Sequence, residues 1–566
     1  MQRPWFEHYA PGVPHDVEIP EAPLTRFLTD SAERFGTRPA LNFLGRRISY
    51  AELDALTNRF SAALTRLGVG KGDRVAIMLP NVPQCVIAYY GALKIGAVVV
   101  QTNPLYLTEE LDFQMRDSGA RVLVALDLFR DRITPMFDGS PLESVIYCGV
   151  RDYLPTVLRW LYPIKAKREG SWNPFVKTPP DYEFTDLIAR APATPAGEHA
   201  AAEDVALLQY TGGTTGRPKG VILTHKNLVA NTLQCKAWVE DIEAGTERFL
   251  GVIPFFHVYG MTTCMNLSIG MAGELILLPR FKPLEVLKAI AKYHPTLFPG
   301  IQAMYLAINN HPDAGRYDLS SIRACISGAG ALQAEVQKRF EALTGASVVE
   351  GYGLSEASPV THANPIGGMR VKGAIGLPLP GTDARVMSLE DGVTEVPAGE
   401  VGELVVKGPQ VMRGYWNQSE ETLDTLKGGW LHTGDMARMD ENGFFYLVDR
   451  KKDMIKTGGE NVYPRDVEEV LFRHPNVSEA VVAGLPDDFL GERIKAYVVL
   501  NEGEEATPDE IIAFCAEHLA KFKVPKQVEI RTELPKTIVG KVLRRVLIEE
   551  EEARIRDESS AAPDGG

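Results

Sequence analysis

The sequence has few cysteines, and no two of them are spaced as a pair of metal ligands. The six cysteines in the 566 residues are scattered and include no CxxC pair: Cys85, Cys148, Cys235, Cys264, Cys325 and Cys515. Neither a zinc site nor a disulfide framework is therefore indicated. A protein of a reducing compartment, the cytoplasm, fits this pattern best.

Long apolar runs and targeting segments are also lacking. The longest nearly apolar stretch, residues 86–100, is interrupted by Lys94 and is shorter than the ~20 residues of a membrane-spanning helix. It predicts a buried helix followed by a strand. The N-terminal residues have neither the apolar core of a signal peptide nor the acid-poor, Arg- and Ser-rich pattern of a mitochondrial one, so no export is expected.

An excess of positive charge is absent as well. Lys and Arg number 60 against 74 Asp and Glu, which gives a net charge of −14 and argues against a general nucleic-acid-binding protein. The hydrophobic content of 45% and the charged content of 24% are typical of globular proteins. The length predicts about three or four units of ordinary domain size.

Alternating helical and strand patterns fill the first 350 residues. Apolar residues repeat at helical spacing from Leu53 to Leu67, and the apolar run at residues 75–79 follows as a strand. A second series predicts short buried strands at 274–278, 297–299 and 324–327, with helices at 283–293 and 334–343. This alternation predicts an α/β fold, in which helices cover both faces of a sheet.

The pattern changes in the later part of the chain. Residues 191–204 form a linker rich in Ala and Pro, and residues 395–410 and 443–448 predict antiparallel strands of a small β subdomain. After Arg450, a separate small α+β domain is predicted, with helices at 466–472 and 508–520 and strands at 480–483 and 496–500. The last residues, 549–566, predict a flexible tail.

The most informative segment is the loop at residues 210–220, YTGGTTGRPKG, which is suited to binding phosphate. Its glycines free backbone N–H groups to point at an anion, its threonines add hydroxyl donors and a lysine adds charge. These residues are Thr211, Gly212, Gly213, Thr214, Thr215, Gly216 and Lys219. The loop is not a Walker A motif, because Arg217 and Pro218 separate the last glycine from the lysine.

Five further motifs follow this loop in the order found in the adenylate-forming superfamily, which includes acyl-CoA synthetases, adenylation domains and luciferases. The motifs are PFFHVY at 254–259, GYGLSE at 351–356, WLHTGD at 430–435, DRKKDMI at 449–455 and PKTIVGK at 535–541. The resemblance covers about residues 30–545. Within the superfamily the sequence most resembles bacterial long-chain fatty-acid–CoA ligases, above all at residues 448–455 and 497–541.

The resemblance implies how a nucleotide would be bound. The 211–216 loop would hold the β- and γ-phosphates of ATP with Lys219 as a supporting cation, and Glu356 would hold Mg²⁺, a hard cation that prefers carboxylate and phosphate oxygens. Asp435 would accept hydrogen bonds from the ribose hydroxyls, and Arg450 would contact ribose or phosphate. The residues placed around adenine and the acyl group are Ala329, Glu350, Gly351, Tyr352, Gly353 and Ser355.

Other roles implied by the resemblance concern the acceptor and the second domain. His257 and Tyr259 would lie between the acyl pocket and the acceptor tunnel, with gating or packing favoured over acid–base chemistry for His257. Lys541 would be the adenylation lysine. The remaining implied sites are the hinge residue Lys452 and the CoA-facing residues Lys456, Gly458 and Gly459.

The resemblance also implies the architecture and the activity. A large multi-subdomain α/β region at residues 1–450, with its small β subdomain, would precede a small mobile α+β domain at 451–548. The enzyme would use ATP, Mg²⁺ and CoA to convert a medium- or long-chain fatty acid to acyl-AMP and then to acyl-CoA. Competing interpretations are a fatty-acyl-AMP ligase that loads a carrier protein, an aryl or short-chain ligase, and a non-catalytic sensor. The oligomeric state stays open between a monomer and a larger assembly such as a homodimer.

One segment raises the question of a membrane. Leu154, Val157, Leu158, Leu161 and Ile164 share one helical face with Trp160 nearby, and cations follow. We expect Pro163 to break the helix before those cations. Two interpretations remain: a surface helix packed on its own domain, or attachment to the inner face of the cell membrane.

Overall fold

The computed structural model describes residues 3–137, 139–168, 181–194, 199–211, 218–239, 242–450, 453–458, 460–487, 489–536 and 542–561. Its strands are β1 (Pro39–Phe43), β2 (Arg46–Ser49), β3 (Arg74–Met78), β4 (Val98–Gln101), β5 (Val122–Leu126), β6 (Ser144–Cys148), β7 (Asp181–Glu183), β8 (Val205–Thr211), β9 (Lys219–Thr224), β10 (Arg248–Gly251), β11 (Glu274–Leu277), β12 (Ala324–Ser327), β13 (Ser347–Gly353), β14 (Val360–Ala363), β15 (Leu377–Pro378), β16 (Asp383–Met387), β17 (Gly402–Lys407), β18 (Gly414–Tyr415), β19 (Leu431–Met439), β20 (Phe445–Arg450), β21 (Ile455–Thr457), β22 (Glu460–Val462), β23 (Val477–Asp487), β24 (Gly491–Leu500) and β25 (Gln527–Arg531).

The helices alternate with these strands along the chain. They are α1 (Arg26–Phe35), α2 (Tyr50–Arg66), α3 (Pro83–Lys94), α4 (Thr108–Ser118), α5 (Arg130–Ile133), α6 (Thr156–Arg168), α7 (Phe184–Arg190), α8 (His225–Trp238), α9 (Val258–Gly260), α10 (Leu267–Gly270), α11 (Pro283–Tyr293), α12 (Gln302–Asn309), α13 (Ala334–Thr344), α14 (Ser419–Thr425), α15 (Pro464–Leu471), α16 (Pro508–His518) and α17 (Arg544–Ala561). Among the described helices, none is both long and apolar enough to cross a membrane.

Contacts divide the chain into two units. The first unit comprises Met1–Ala384 with Val406–Leu431, and the second comprises Arg385–Val405 with His432–Gly566. The mixed α/β class, with a large N-terminal and a small C-terminal part, is confirmed. The predicted boundary at residue 450 marks the point after which a mobile domain would begin. This division by contacts does not test that mobility, so the boundary stays a prediction.

The first unit is built on three sheets. An eight-stranded sheet has the order β18-β9-β8-β4-β3-β5-β6-β7, and its strands from β8 to β7 are parallel. Two four-stranded sheets have the orders β10-β11-β1-β2 and β12-β13-β14-β15. Strands such as β5 are buried along their whole length, because parallel strands between two helical layers need apolar residues on both faces.

Helices α2 and α3 show how the sequence produces this layered structure. Ser49 caps α2 by accepting a hydrogen bond from the Glu52 N–H, and Leu53, Phe60 and Leu64 form its buried face. Helix α3 is buried on nearly every side, as expected for the apolar run at residues 86–100. The predicted helix and strand in that run are both confirmed.

The second unit contains two further sheets. One has the order β16-β17-β19-β20, and the other has the order β22-β21-β24-β23 with β25 paired to β24. The small β subdomain and the α+β pattern after residue 450 are thus present, although β17 is shorter than the predicted stretch 395–410 and β23 and β24 are longer than predicted. In particular, β23 and β24 form a ten-residue antiparallel ladder from Val477 to Leu500.

Three local predictions differ from the structure. Residues 297–299 form only isolated bridges, from Leu297 to Phe249 and to Ala324, instead of a full strand. Helix α6 continues through Pro163 to Arg168. The tail expected from residue 549 is helical as far as Ala561, because Glu551 is buried in an ion pair with Lys495 and attaches the helix to β24.

Candidate active site

The predicted phosphate-binding loop connects two antiparallel strands. Thr211 ends β8 and pairs in register with Lys219, the first residue of β9. The loop residues predicted to bind phosphate, Gly212, Gly213, Thr214, Thr215 and Gly216, lie outside the described residues. Both stems of the loop are fixed by the ladder, since Tyr210 pairs with Gly220 in the next register position.

Lys219 is buried, in contrast to a solvated loop lysine. Its side chain is 8% exposed, and its ammonium forms an ion pair with the carboxylate of Glu421 on α14. The Lys219 Nζ also lies 5.4 Å from the ring centroid of Tyr415, within the range of a cation–π interaction. Because buried charges need partners, Glu421 compensates Lys219 in this structure. A phosphate that approaches Lys219 therefore competes with Glu421.

Glu356 lies in a 3-10 turn, Ser355–Ala357, and Tyr415 orients its carboxylate. The Tyr415 hydroxyl donates a hydrogen bond to Glu356 Oε1 over 2.8 Å. Burial, and then the charge of the neighbouring Glu356, raise the pKa of Tyr415, so the phenol keeps its proton and remains a donor. The Met412 N–H also donates to the Glu356 carbonyl oxygen over 2.7 Å. Both the backbone and the side chain of Glu356 are thus fixed.

The donor set around Glu356 fits Mg²⁺. This cation is commonly bound by one or two carboxylates together with water and the phosphates of a substrate. Over the ranges that the structure describes, no group of three or more His, Cys, Asp or Glu side chains could hold a metal ion without such help. A single oriented carboxylate that shares Tyr415 as a contact with Lys219, in the stem of the predicted phosphate-binding loop, is the arrangement expected if metal and nucleotide bind together.

Tyr415 and Glu421 were missed by the sequence analysis. Tyr415 lies on β18, which pairs with β9 so that Tyr415 is opposite Val221. This pairing joins segments almost two hundred residues apart, and no periodicity or short motif encodes it. The acidic first turn of α14, with Glu421, was the only local signal near this site.

The predicted adenine-binding residues form the end of β13. Tyr352 is partly exposed, and its ring centroid lies 6.0 Å from that of His362. Burial lowers the pKa of His362 to about 3, so this ring is neutral. A Cβ at Gly353 would lie 2.1 Å from the carbonyl oxygen of Pro359, and one at Gly351 would lie 2.7 Å from Ile326 Cδ1. Backbone packing therefore requires a glycine at 353, whereas at 351 only the end of the Ile326 side chain would have to move, and the predicted role of both glycines beside the purine stays a prediction.

Glu350 fixes the neighbouring loop. Its side chain is buried and its Oε2 accepts a hydrogen bond from the Leu332 N–H over 3.2 Å. Leu332 follows the loop that contains Ala329, an exposed residue with φ of 62°. A non-glycine residue in this left-handed region costs on the order of 1 kcal/mol. We therefore assign Glu350 a structural role in holding this strained loop.

His257 and Tyr259 make structural contacts at the start of α9. The His257 Nδ1 accepts a hydrogen bond from the Tyr259 N–H over 3.2 Å, which places the proton of the neutral ring on Nε2. The Tyr259 hydroxyl lies 2.8 Å from the carbonyl oxygen of Ile326 and 3.1 Å from that of Gly300. These contacts agree with packing, and the predicted acceptor-tunnel role of both residues stays a prediction.

In the second unit, Asp435 and Arg450 come together as neighbours on β19 and β20. They are paired in register, and Arg450 Nε lies 3.4 Å from Asp435 Oδ1. Gly434, at φ of 70°, donates its N–H to Glu403 Oε1 over 3.1 Å. The positive φ, which glycine adopts without a Cβ clash, lies within β19 immediately before Asp435.

The residues predicted to act in CoA binding and adenylation are partly described. The Lys456 N–H donates to Glu492 Oε2 over 2.6 Å, and the Gly458 N–H donates to the Leu490 carbonyl over 2.8 Å. Lys452, Gly459 and Lys541 lie outside the described residues. The stems of the Lys541 loop are bridged, however, by the antiparallel pair Lys536 and Val542.

An apolar cavity lies in the first unit between α8 and strands β12 and β13. Its volume is about 50 Å³, several times the roughly 10–15 Å³ that one water molecule requires. Thr263, which follows the PFFHVY motif, lines it, and so do Leu297 and Pro299 of the segment predicted as a buried strand. The other lining residues, which the sequence analysis missed, include Cys235, Trp238, Phe249, Cys325, Ile326 and Val349.

Comparison with known proteins places these features in context. The AMP-binding enzyme family matches residues 28–416, and the AMP-binding enzyme C-terminal domain matches residues 466–541. The chain is 50% identical to a long-chain-fatty-acid–CoA ligase of Bacillus subtilis strain 168, over 97% of this chain and 98% of that one.

Two solved structures are similar in fold. The crystal structure of ATP-bound MatB from Rhodopseudomonas palustris matches with a TM-score of 0.83 and 31% identity, over 94% of this chain and 99% of that one. A Mycobacterium tuberculosis fatty acyl CoA synthetase matches with a TM-score of 0.69 and 29% identity, with the same coverage of both chains.

Proposed function

Because the chain belongs to the AMP-binding enzyme family, we propose that it is an ATP-dependent ligase that joins a medium- or long-chain fatty acid to CoA. In the first half-reaction, a carboxylate oxygen bonds to the α-phosphorus of ATP and the bond to pyrophosphate breaks. In the second, the CoA thiolate bonds to the acyl carbon of acyl-AMP and AMP leaves. The family membership that the motifs predicted is confirmed by the family and sequence matches.

The observation that supports this function best is the position of the apolar cavity. Ile326 and Val349 line it, and the strands that carry them, β12 and β13, continue into the 327–331 loop and the Glu350–Gly353 segment. A fatty acid with its carboxylate at the residues predicted to bind nucleotide would therefore have part of its hydrocarbon chain next to this cavity, which at about 50 Å³ holds only a segment of a long chain. An apolar chamber behind a phosphate site suits an acid whose remaining part is a hydrocarbon.

The nucleotide contacts follow from the residues of each unit. In the first unit, the loop from Thr211 would donate to the leaving phosphates and Lys219 would exchange Glu421 for a phosphate oxygen. Glu356 would hold Mg²⁺, which supplies positive charge where negative charge develops on the leaving group. Tyr352 would offer its partly exposed ring to adenine. In the second unit, the carboxylate of Asp435 would accept from the ribose hydroxyls, with Arg450 beside it.

The experiment is a chain-length series. Each buried CH₂ contributes roughly 0.8 kcal/mol, so affinity should rise with chain length until the acyl end meets the cavity wall. Acid-dependent AMP release with CoA, measured from C2 to C18 acids, should give an optimum at medium or long chains. A best substrate at or below about C4 would contradict the proposal and favour an aryl or short-chain ligase.

The same series distinguishes a CoA ligase from a carrier-loading ligase and from a sensor. Acyl-adenylate that accumulates and does not react with CoA would indicate a ligase that loads a carrier protein. A sensor without catalysis would show no ATP–pyrophosphate exchange with any acid, although it would still bind nucleotide. We also propose that this enzyme is cytoplasmic and contacts the inner face of the cell membrane, because long-chain fatty acids partition into bilayers.

A further inference from the structure

Helix α6 presents its large apolar side chains to solvent. Those exposed are Val157 at 70%, Leu158 at 42%, Trp160 at 80%, Leu161 at 53% and Ile164 at 61%. With 3.6 residues per turn, four of these five fall within an arc of about 100°, and Ala166 lies on the opposite side. Ala166 is only 1% exposed. The helix thus contacts its own unit through a small residue and turns its apolar face outward.

This orientation is the reverse of that of an ordinary surface helix. Such helices bury their apolar stripe against the core and expose polar residues, and a contiguous exposed apolar patch marks a surface for interaction. The expectation that Pro163 ends the helix was wrong, and the continuation allows Ile164 to share the face of Trp160 and Val157. With 13 residues, α6 is too short to span a bilayer and has the length of a helix that lies in its interface.

The charges on α6 favour a negatively charged surface. Thr156–Arg168 contains Arg159, Lys165, Lys167 and Arg168 and no acidic residue, whereas the whole chain carries a net charge of −14. The protein as a whole is repelled by anionic lipids, so attraction has to come from a local patch. Cations close to an anionic leaflet provide it, and a tryptophan such as Trp160 is well placed at the level of the headgroups.

A second copy of the chain is a less suitable partner for this face. A twofold dimer through α6 would place the same surface patch of both copies together. The cations near the apolar arc, Lys167 and Arg168, would then approach those of the other copy, and like charges across an interface oppose association. An anionic bilayer offers apolar burial for Val157 and Trp160 together with opposite charge for Lys167 and Arg168, which lie on the same side of the helix.

We propose that the exposed face of α6 docks the protein on anionic phospholipid bilayers. The outward apolar residues enter the boundary between headgroups and acyl chains, and the cations contact the lipid phosphates. The proposal extends the proposed function, because docking brings the enzyme to the phase in which a long-chain acid is dissolved. Binding to vesicles needs neither ATP nor acid, so its failure and a failure of ligase activity are distinguishable.

The test is vesicle flotation of the purified full-length protein without substrates. We expect binding to vesicles of phosphatidylcholine and phosphatidylglycerol, weaker binding to phosphatidylcholine alone, and release by high salt. The double variant Val157→Ser/Trp160→Ser should lower the partition coefficient on the order of tenfold or more, because binding scales with the apolar area buried. Its matched control is Met369→Ser/Val393→Ser, which removes two exposed apolar residues elsewhere and should bind as the unchanged protein does.

Three outcomes would overturn the proposal. They are no flotation of the unchanged protein with anionic vesicles, equal loss in the helix variant and its control, or a dimer in solution that only the helix variant converts to a monomer. Activity with a water-soluble acid such as octanoate, measured without vesicles, should be the same in both double variants. That measurement confirms that the helix variant is folded, so a loss of flotation reports on the α6 face alone.

Discussion

At the scale of single residues, the contact between Tyr415 and Glu356 leads to a prediction about metal affinity. Tyr415→Phe keeps the ring beside Lys219 and removes only the hydroxyl that donates to Glu356 over 2.8 Å. Groups that orient a metal ligand typically contribute about 10- to 100-fold to metal affinity or activity. We therefore expect the Mg²⁺ concentration for half-maximal pyrophosphate exchange to rise by about that factor, while affinity for ATP measured in EDTA changes little.

The matched control for this variant is Tyr446→Phe. The Tyr446 hydroxyl donates to Asp440 Oδ2 over 3.0 Å in the second unit, so the same atom is lost from a similar tyrosine–carboxylate pair. Titration calorimetry of Mg²⁺ or Mn²⁺ into the complex with a non-hydrolysable ATP analogue gives a measurement that does not depend on turnover. Equal weakening of metal and of metal-free ATP binding in Tyr415→Phe would show that Tyr415 only supports the fold.

The sequence could single out candidate site residues where the signal is local, and their roles stay predictions. Lys219 and Glu356 lie in short motifs, and the structure places both in one cluster of the first unit. Their partners, Tyr415 and Glu421, could not be predicted, because only the pairing of β18 with β9 brings them near. Burial was equally hidden: a loop lysine such as Lys219 has no sequence signal for an exposed fraction of 8%.

At the scale of secondary structure, the C-terminal helix α17 is attached by the buried Leu547, by ion pairs of Arg544 and by one buried ion pair farther along the helix. The Lys495 and Glu551 side chains are 3% and 4% exposed, and their charged atoms lie 2.9 Å apart. Removing one partner of a buried pair typically costs about 3–5 kcal/mol. Since Glu529 also pairs with Lys495 over 2.7 Å, we expect Glu551→Ala to fall near ~3 kcal/mol, within the same range.

Hydrogen exchange of peptides from α17 and β24 measures this effect locally. Glu551→Ala should speed their exchange by about 100-fold, which corresponds to the loss of ~3 kcal/mol. The control is Glu549→Ala, two residues earlier, whose partner Arg545 lies 3.4 Å away with both side chains more than half exposed. Exposed pairs contribute under about 1 kcal/mol, so the control should exchange nearly as the unchanged protein does. Equal exchange in both variants would contradict the anchoring role.

Periodicity predicted most elements but could not predict which face they bury. The apolar run at residues 86–100 predicts a buried helix without a preferred face, and α3 is buried on nearly every side. Helix α6 has a similar apolar stripe, yet its stripe faces solvent. The tail from residue 549 has a polar composition and was predicted to be flexible, whereas ion pairs with the distant Lys495 and Arg493 make Glu551 part of the folded structure.

At the scale of the whole molecule, the residues predicted to bind one nucleotide are divided between two units. Lys219, Glu356 and Tyr352 belong to the first, whereas Asp435 and Arg450 belong to the second. The order of the motifs in the sequence could predict that one active site draws on the whole chain. It could not predict this division, because the units are defined by contacts between segments that are distant in the sequence. The second unit, for example, joins Arg385–Val405 with His432–Gly566.

The second unit also carries Lys541, for which we predict a role in only one half-reaction. In the proposed function its ammonium stabilises charge as the carboxylate meets the α-phosphate, and losing one such contact typically costs ~10²–10³-fold in rate. Lys541→Ala should therefore abolish most acid-dependent pyrophosphate exchange and leave thioester formation from pre-made acyl-AMP and CoA largely intact.

The matched control is Lys536→Ala, which removes a lysine from the stem of the same loop, where Lys536 pairs with Glu479 at the surface. It should leave both half-reactions unchanged. Equal loss of both half-reactions in Lys541→Ala would mean that Lys541 maintains structure and does not act on the phosphate.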